Sequence, residues 1–337
     1  MLNHPHQPVY IVTGAAGHLG GSIVTKLNEQ GQTVYALCLA GEPHLPQGEH
    51  VQVFYGDVCD VDSMVDLFEA CANKSIRVIH CAGLVSISSK FNQKVYDVNV
   101  LGTKNILSLC EQYHVENLVY VSSVHAIPEP PRNETITEVA HFSPDNVVGL
   151  YAKTKAEASQ LVLNYAARGY NAKVVHPSGL VGPGDFGRGH ITQLVIDYYK
   201  GKLFCGVGGG YDFVDVRDVA DGILSCCENG KSGACYILSG QYCSIHGLLE
   251  LLHEITGKKR IQTILPLWFV KLTAPLSERY YHILKQPPLF TSYSIDTLNT
   301  NANFSHEKAT RELGYTTRPI KQTLMDTIAW LKQKHRL

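Results

Sequence analysis

The chain predicts an α/β fold: a doubly wound parallel sheet followed by a smaller, mostly helical C-terminal substrate-binding domain. Three observations carry this. Six short apolar runs alternate with helix-length segments before residue 180, the alternation breaks down afterwards, and the first run ends in a glycine-rich turn that opens into a helical pattern.

Pro8 to Thr13 is the first β-rich run, followed by Thr13-Gly14-Ala15-Ala16-Gly17-His18-Leu19-Gly20-Gly21 and then by a helical segment, Ser22 to Gln30, closed by Gly31. Strand, glycine turn and helix in that order give each glycine a role. Gly14 and Gly17 let the backbone approach a pyrophosphate, Gly20 lets the helix pack closely on the strand, and the helix N-terminus supplies amide donors, with His18 and Leu19 in the same loop. This reads as a Rossmann-type dinucleotide site; a tight turn that binds nothing is the plainer alternative.

Thr33 to Leu39 is the second strand, where an acidic residue would mark NAD and an arginine NADP. Its end, Cys38-Leu39-Ala40-Gly41, is neither, so NAD and NADP both stay open. The third strand, Val51 to Tyr55, leads into Gly56-Asp57-Val58, and a helix is expected across Val61 to Ala72. Asp57 is placed either to accept from an adenine amino group or to cap its own turn. Arg77 to Cys81 gives a fourth strand that ends in the small residues Ala82-Gly83, and Asn99 to Cys110 reads as a helix.

The fifth strand, Asn117 to Val121, carries Ser122 and Ser123 at its C-terminal end, the edge where ligands bind in an open parallel sheet. Next comes Leu150-Tyr151-Ala152-Lys153-Thr154-Lys155-Ala156-Glu157. Tyr151 and Lys155 are four apart, so they share one helix face. A free phenol has a pKa of about 10, and a neighbouring ammonium stabilises its phenolate, which brings proton exchange nearer neutrality. Solvated helices show the same spacing by chance, so the pair gains meaning only from its surroundings. Ala172 to His176 is the sixth strand, and the turn-rich run Pro177 to Asp185 puts Pro177 and Ser178 at the same edge.

Beyond that point the pattern becomes irregular. Gly206 to Gly210 reads as a flexible loop, Asp212 to Val219 as a return to the first domain, Cys235 to Leu238 as a further strand, and Ser244 to Leu337 as mainly helical. The expected division is a dinucleotide-binding domain over 1–180, with returning segments near 212–240, and a cap formed by 181–211 and 241–337. Aromatic residues of the cap, including Phe186, Tyr198, Tyr199, Trp268 and Phe269, point to an apolar carbonyl or alcohol substrate.

Composition limits the partners. The chain has 337 residues, 45% hydrophobic and 18% charged, with net charge −1, so no basic excess exists to neutralise nucleic-acid phosphates. Its ten cysteines lack paired CxxC spacing, and they read as reduced core residues of a cytoplasmic protein, with no metal site. His4 and His6 are expected in a solvated tail. Val9 to Val12 is too short for a signal-peptide core, and Ile264 to Leu276, broken by Pro266, Lys271 and Pro275, is too short to span a bilayer. That segment reads as buried, pocket-lining or a peripheral membrane contact.

Taken together, the motifs resemble the extended short-chain dehydrogenase/reductase superfamily, also called the NAD-dependent epimerase/dehydratase family. The resemblance rests on Thr13 to Gly20 (TGAAGHLG), Gly56-Asp57-Val58, Asn99 with Gly102-Thr103, Val121-Ser122-Ser123, Tyr151 to Lys155 (YAKTK), Phe213 to Ala220 (FVDVRDVA) and Leu313-Gly314-Tyr315. Within the family, His176 to Asp185 and Leu298 to Tyr315 are similar to the dihydroflavonol reductase and hydroxysteroid dehydrogenase branch. The resemblance implies Ser123, Tyr151 and Lys155 as catalytic residues, with Ser122 as the alternative serine. It implies cofactor contacts from Gly14, Gly17, His18, Leu19, Gly20, Asp57, Val58, Ala82, Gly83, Asn99, Tyr151, Lys155, Pro177 and Ser178. It further implies hydride exchange between a nicotinamide and a carbonyl or alcohol, and a homodimer built on the helices around Asn92 to Tyr113 and Leu150 to Arg168. An epimerase or dehydratase that retains its nicotinamide, and a non-catalytic cofactor-binding regulator, are the rival readings.

Overall fold

The computed structural model describes residues 8–86, 91–131, 134–187, 189–270, 272 and 298–337; His4 and His6 lie outside the described residues. The strands are β1 (Val9–Thr13), β2 (Thr33–Cys38), β3 (Val51–Tyr55), β4 (Ile76–His80), β5 (Asn117–Val121), β6 (Ala172–Pro177), β7 (Gly179–Val181), β8 (Gly206–Val207), β9 (Gly210–Asp215), β10 (Cys235–Leu238), β11 (Gln241–Ser244) and β12 (Ile264–Leu265). The helices are α1 (His18–Glu29), α2 (Val65–Glu69), α3 (Gln93–Tyr96), α4 (Gly102–Gln112), α5 (Leu150–Ala167), α6 (His190–Tyr199), α7 (Val216–Asn229), α8 (Ile245–Thr256), α9 (Glu307–Leu313) and α10 (Ile320–Gln333).

Seven strands form one parallel sheet in the order β10-β6-β5-β4-β1-β2-β3. This is the expected doubly wound sheet. Because helices cover both faces, its strands are continuous apolar runs whose alternate residues enter opposite layers. Val9 and Ile11 join Tyr35, Leu37, Val78 and Tyr120 beneath α4 and α5. Tyr10 and Val12 join Val34, Ala36, Val119 and Val121 beneath α1 and α7. Chain direction across the sheet reverses between β1 and β4, which opens a crevice at their C-terminal ends.

Some local expectations need correction. Helix α1 begins at His18 rather than Ser22, so Gly20 and Gly21 are helical despite a propensity about 1 kcal/mol worse than alanine; packing of the helix on the loop overrides it. The helix expected over Val61 to Ala72 contracts to α2 and a tight turn, Asp62–Met64. The run Gly206 to Gly210 is not a loop throughout: it supplies β8 and the start of β9. Its glycines mark close packing, since a Cβ on Gly206 would meet Leu249 at 2.7 Å and one on Gly210 the Tyr242 hydroxyl at 2.6 Å. The turn-rich run after Pro177 likewise contains β7.

Strand β9 pairs with β7 and β11 in a separate three-stranded sheet, while α7, which follows it, covers the large sheet beside α1. Arg217 bridges Asp215 and Asp326, and Arg318 bonds Asp218, which ties α10 to this junction. All ten cysteines are free thiols. Among the described residues no helix is long and apolar enough to cross a membrane; of the Ile264 to Leu276 segment, residues 271 and 273–276 lie outside the described residues.

Candidate active site

The glycine loop after β1 is held shut against its neighbours. Gly14 has φ +64°, and a Cβ there would stand 2.8 Å from the Ala82 nitrogen. A Cβ on Gly20 would press on the Gly14 carbonyl, 2.9 Å from its carbon. Gly17 caps α1 with no side-chain bond, and the first turn holds no acid, so none of the helix's own side chains offsets its first backbone donors and positive dipole end. These features fit a pyrophosphate. His18 Nε2 donates to the Pro183 carbonyl at 3.1 Å, and burial lowers its pKa. The loop after β7 is thereby tied to the glycine loop.

At the C-terminal end of β5 the second half of the site assembles. Tyr151 and Lys155 are both buried on α5. Lys155 Nζ donates to the Val121 carbonyl at 2.8 Å and to the Tyr120 hydroxyl at 3.3 Å, and lies 4.8 Å from the Tyr120 ring centre. The two serines differ. Ser159 donates to the Lys155 carbonyl, so in the 2.7 Å contact between Ser122 and Ser159 it is Ser122 that donates. Ser123 accepts the His125 N–H at 3.3 Å.

A buried polar chain fixes the segment between β4 and α5. Ala82 N–H donates to Thr13 Oγ1, which donates to His80 Nδ1 at 2.7 Å. Thr103 donates to the Asn99 carbonyl, so its oxygen accepts from His80 Nε2–H at 3.2 Å. Burial, with Lys155 second, lowers the His80 pKa to about 3, in keeping with this neutral tautomer. Asn99 lies on the wide π-type turn Asp97–Leu101. It bonds both backbone groups of Leu84 and donates to Thr154, which donates to the Tyr151 carbonyl. Asn99 therefore clamps the 82–84 turn to the first turn of α5. A Cβ on Gly83 would stand 3.1 Å from Lys155 Nζ.

Burial pulls the Lys155 ammonium down to about 8. The unfolded lysine, at its usual value near 10.5, holds its proton through a window in which the folded one loses it. Between those values the unfolded state binds more protons, so this group makes folding more favourable as pH rises, while the charge that steadies a phenolate is lost. Thermal or urea unfolding of the wild type and Lys155→Met at pH 7, 8, 9 and 10 is expected to show the wild type gaining on the variant, on the order of 1 kcal/mol per pH unit above pH 8. Parallel profiles would refute it.

Other expected site residues are placed as follows. Asp57 accepts the N–H of Cys59 at 2.9 Å, a turn-forming bond. Val58 is buried against Gly102, and Leu19 is buried in α1. Pro177 ends β6 opposite Leu238, and Ser178 donates to Asp212 at 2.5 Å. Burial raises the Asp212 carboxyl to about 6 even though Ser178 and Gly240 N–H both bond it. The cap aromatics are dispersed: Phe186 stacks on His44 and packs edge-on to Trp330, Tyr198 bonds the carbonyls of Lys258 and Lys259, and Trp268 and Phe269 are exposed. Sequence reasoning missed His125, which packs beside Tyr151, and Tyr211, which stacks on and bonds His125; no motif connects residues 86 positions apart.

A parallel sheet whose strand order reverses beside a glycine loop that opens into a helix defines the class of dinucleotide-binding α/β folds. The profile of the NAD dependent epimerase/dehydratase family matches residues 10–238. The chain belongs to that family, within the extended short-chain dehydrogenases/reductases, whose cofactor is NAD or NADP. It is similar to the "sterol demethylase protein B" of Methylococcus capsulatus, 31% identical over 96% of this chain and 98% of that protein. It is also similar to a "putative dihydroflavonol 4-reductase" of Synechocystis, 30% identical over 96% and 94% respectively. Among solved structures, gox2253 superposes with a TM-score of 0.83 and 29% identity, over 98% of this chain and 99% of that one.

Proposed function

We propose that the protein is an NAD-dependent dehydrogenase or reductase that interconverts a carbonyl and an alcohol on an apolar, ring-bearing substrate, with Tyr151 as general acid/base. The observation that carries this reading is the buried Tyr151–Lys155 face of α5, anchored through Lys155 to the end of β5 beside Ser123. A dinucleotide whose pyrophosphate is held by the Gly14–Gly20 loop would supply or accept the hydride through its nicotinamide. Tyr151 gives its phenolic proton to the substrate oxygen in reduction and takes it back in oxidation. Charged Lys155 favours the phenolate, and the Ser123 hydroxyl holds the substrate oxygen. Ser123 is preferred to Ser122 because the Ser122 proton is committed to Ser159.

An apolar substrate is supported by Phe213 and Phe304, which pack on Tyr211, the ring stacked on the far side of His125 from Tyr151. The sterol and flavonol in the relatives' names agree with it.

The choice of NAD rests on charge. Between Lys26 and Lys74 the chain carries no Lys or Arg but eight carboxylates: Glu29, Glu42, Glu49, Asp57, Asp60, Asp62, Asp66 and Glu69. This stretch holds β2 and β3, and β2 ends beside the glycine loop, where the Ala15 N–H donates to the Leu37 carbonyl. Glu42 turns back onto the Leu39 carbonyl, and after burial its carboxylate is the next cause raising the Cys38 thiol to about 11. A ribose diol donates to such a carboxylate; a 2′-phosphate is repelled. Fluorescence titration is expected to give NADH at least about tenfold tighter binding than NADPH, a difference near 1.4 kcal/mol. Tighter NADPH would overturn the assignment. A panel of apolar ketones assayed with the preferred cofactor then tests the reaction, and release of one oxidised cofactor per alcohol formed separates it from an epimerase that retains its nicotinamide.

A further inference from the structure

One histidine that the reaction above does not use stands beside the reacting groups. Ser123 caps the single helical turn Val124–Ala126 by accepting the His125 N–H, and the turn sets the imidazole between two tyrosines. On one side its ring lies edge-on to Tyr151, with centroids 6.2 Å apart and planes at 70°. On the other it stacks on Tyr211 at 5.7 Å and 15°, with Nε2 3.1 Å from the Tyr211 hydroxyl. Tyr211 is itself buried in β9, held between β7 and β11 and packed edge-on against Phe213 and Phe304.

We propose that His125, anchored by Tyr211, is the positioning residue for Tyr151: its ring sets the tilt of the phenol, so that the three-stranded sheet aims the group that α5 carries. The residue type fits this role. A ring flat enough to stack on Tyr211 and present its edge to Tyr151 must also carry a polar rim atom for the Tyr211 hydroxyl; phenylalanine lacks the atom and asparagine lacks the ring. Burial lowers the His125 pKa to about 4, so the imidazole is neutral at physiological pH and holds no second proton to give. Orientation is the contribution that these ring contacts support, and small errors in it are costly at a reacting centre.

The rate effect rests on the acid/base reading of Tyr151, so the test has one arm that needs no turnover. His125→Phe, Tyr211→Phe and the double variant are compared by steady-state kinetics and by the 13Cζ resonance of Tyr151 in tyrosine-labelled protein, identified by its absence from Tyr151→Phe. Both single variants remove the same bond and keep a ring. Each is expected to lower kcat about tenfold with KM nearly unchanged, and the double variant to be no worse than either single one. The Tyr151 resonance is expected to move in all three. A rise in KM at constant kcat, additive losses, or an unmoved Tyr151 resonance in folded variants would each overturn the proposal. If the wild type reduces no carbonyl, the acid/base reading fails, and the resonance still decides whether His125 positions the ring.

Discussion

Tyr151→Phe is expected to lower kcat by about 10²- to 10⁴-fold, the usual contribution of a positioned general acid or base. The variant keeps the ring that packs edge-on against His125 and the backbone carbonyl that accepts from Thr154, so it removes one hydroxyl and little else. NADH affinity is expected to stay within about threefold, because a group that acts only on the reacting oxygen contributes to the transition state and not to uniform binding. Stopped-flow single turnovers with an apolar ketone, alongside NADH titration, separate these quantities. Wild-type turnover in the variant would remove Tyr151 from the mechanism and with it the main reason for placing Lys155 beside it. Lys155 has a further structural load that Tyr151 lacks: its bond to the Val121 carbonyl joins α5 to β5. Substitution of the lysine is therefore expected to disturb the site's geometry as well as its proton chemistry.

What the sequence discloses follows from the range of the interactions involved. The parallel sheet was legible because each strand is a short apolar run between helices, and that alternation admits few topologies. Gly14 to Gly20 and the Tyr151–Lys155 pair were legible because a loop and a helix face are local objects. Asn99 was visible as a motif residue, but its work was not, since it links Leu84 to Thr154 across separate elements. The register of the serines was equally hidden: Ser122 and Ser123 look alike in sequence, and only the bond from Ser122 to Ser159 distinguishes them. His125 and Tyr211 meet only because β9 pairs with β7 in a sheet built from glycine-rich segments that, read locally, resemble loops. The charge asymmetry on which the proposed choice of NAD rests is present in the sequence, as a run of 47 residues, 27–73, without Lys or Arg. A reading confined to the tip of the second strand passes over it, because electrostatic selection acts through the field of a whole segment.

The second large effect is expected at Gly20, and its neighbour supplies the control. Alanine exceeds glycine in helix propensity by about 1 kcal/mol, so propensity alone would have both Gly20→Ala and Gly21→Ala stabilise α1. Their surroundings separate them. A Cβ on Gly21 would meet the Ala15 carbonyl oxygen at 3.5 Å, ordinary contact, whereas one on Gly20 would press on the Gly14 carbonyl and stand 3.0 Å from the Ala15 Cα. Those neighbours are backbone, and Gly14, at φ +64° and already closed against Ala82, has no space to retreat into. The helix must therefore lift away from the loop, carrying its N-terminal donors out of register with any pyrophosphate. Gly20→Ala is expected to weaken NADH binding by at least about 100-fold, near 2.7 kcal/mol, whereas Gly21→Ala binds as the wild type does and melts higher. Equal binding by both variants would mean that close packing of α1 on the loop is not what forms the cofactor cradle. The shift of the Gly20→Ala melting temperature on adding saturating NADH gives a second readout, which a displaced helix would leave near zero and an intact cradle would raise as in the wild type.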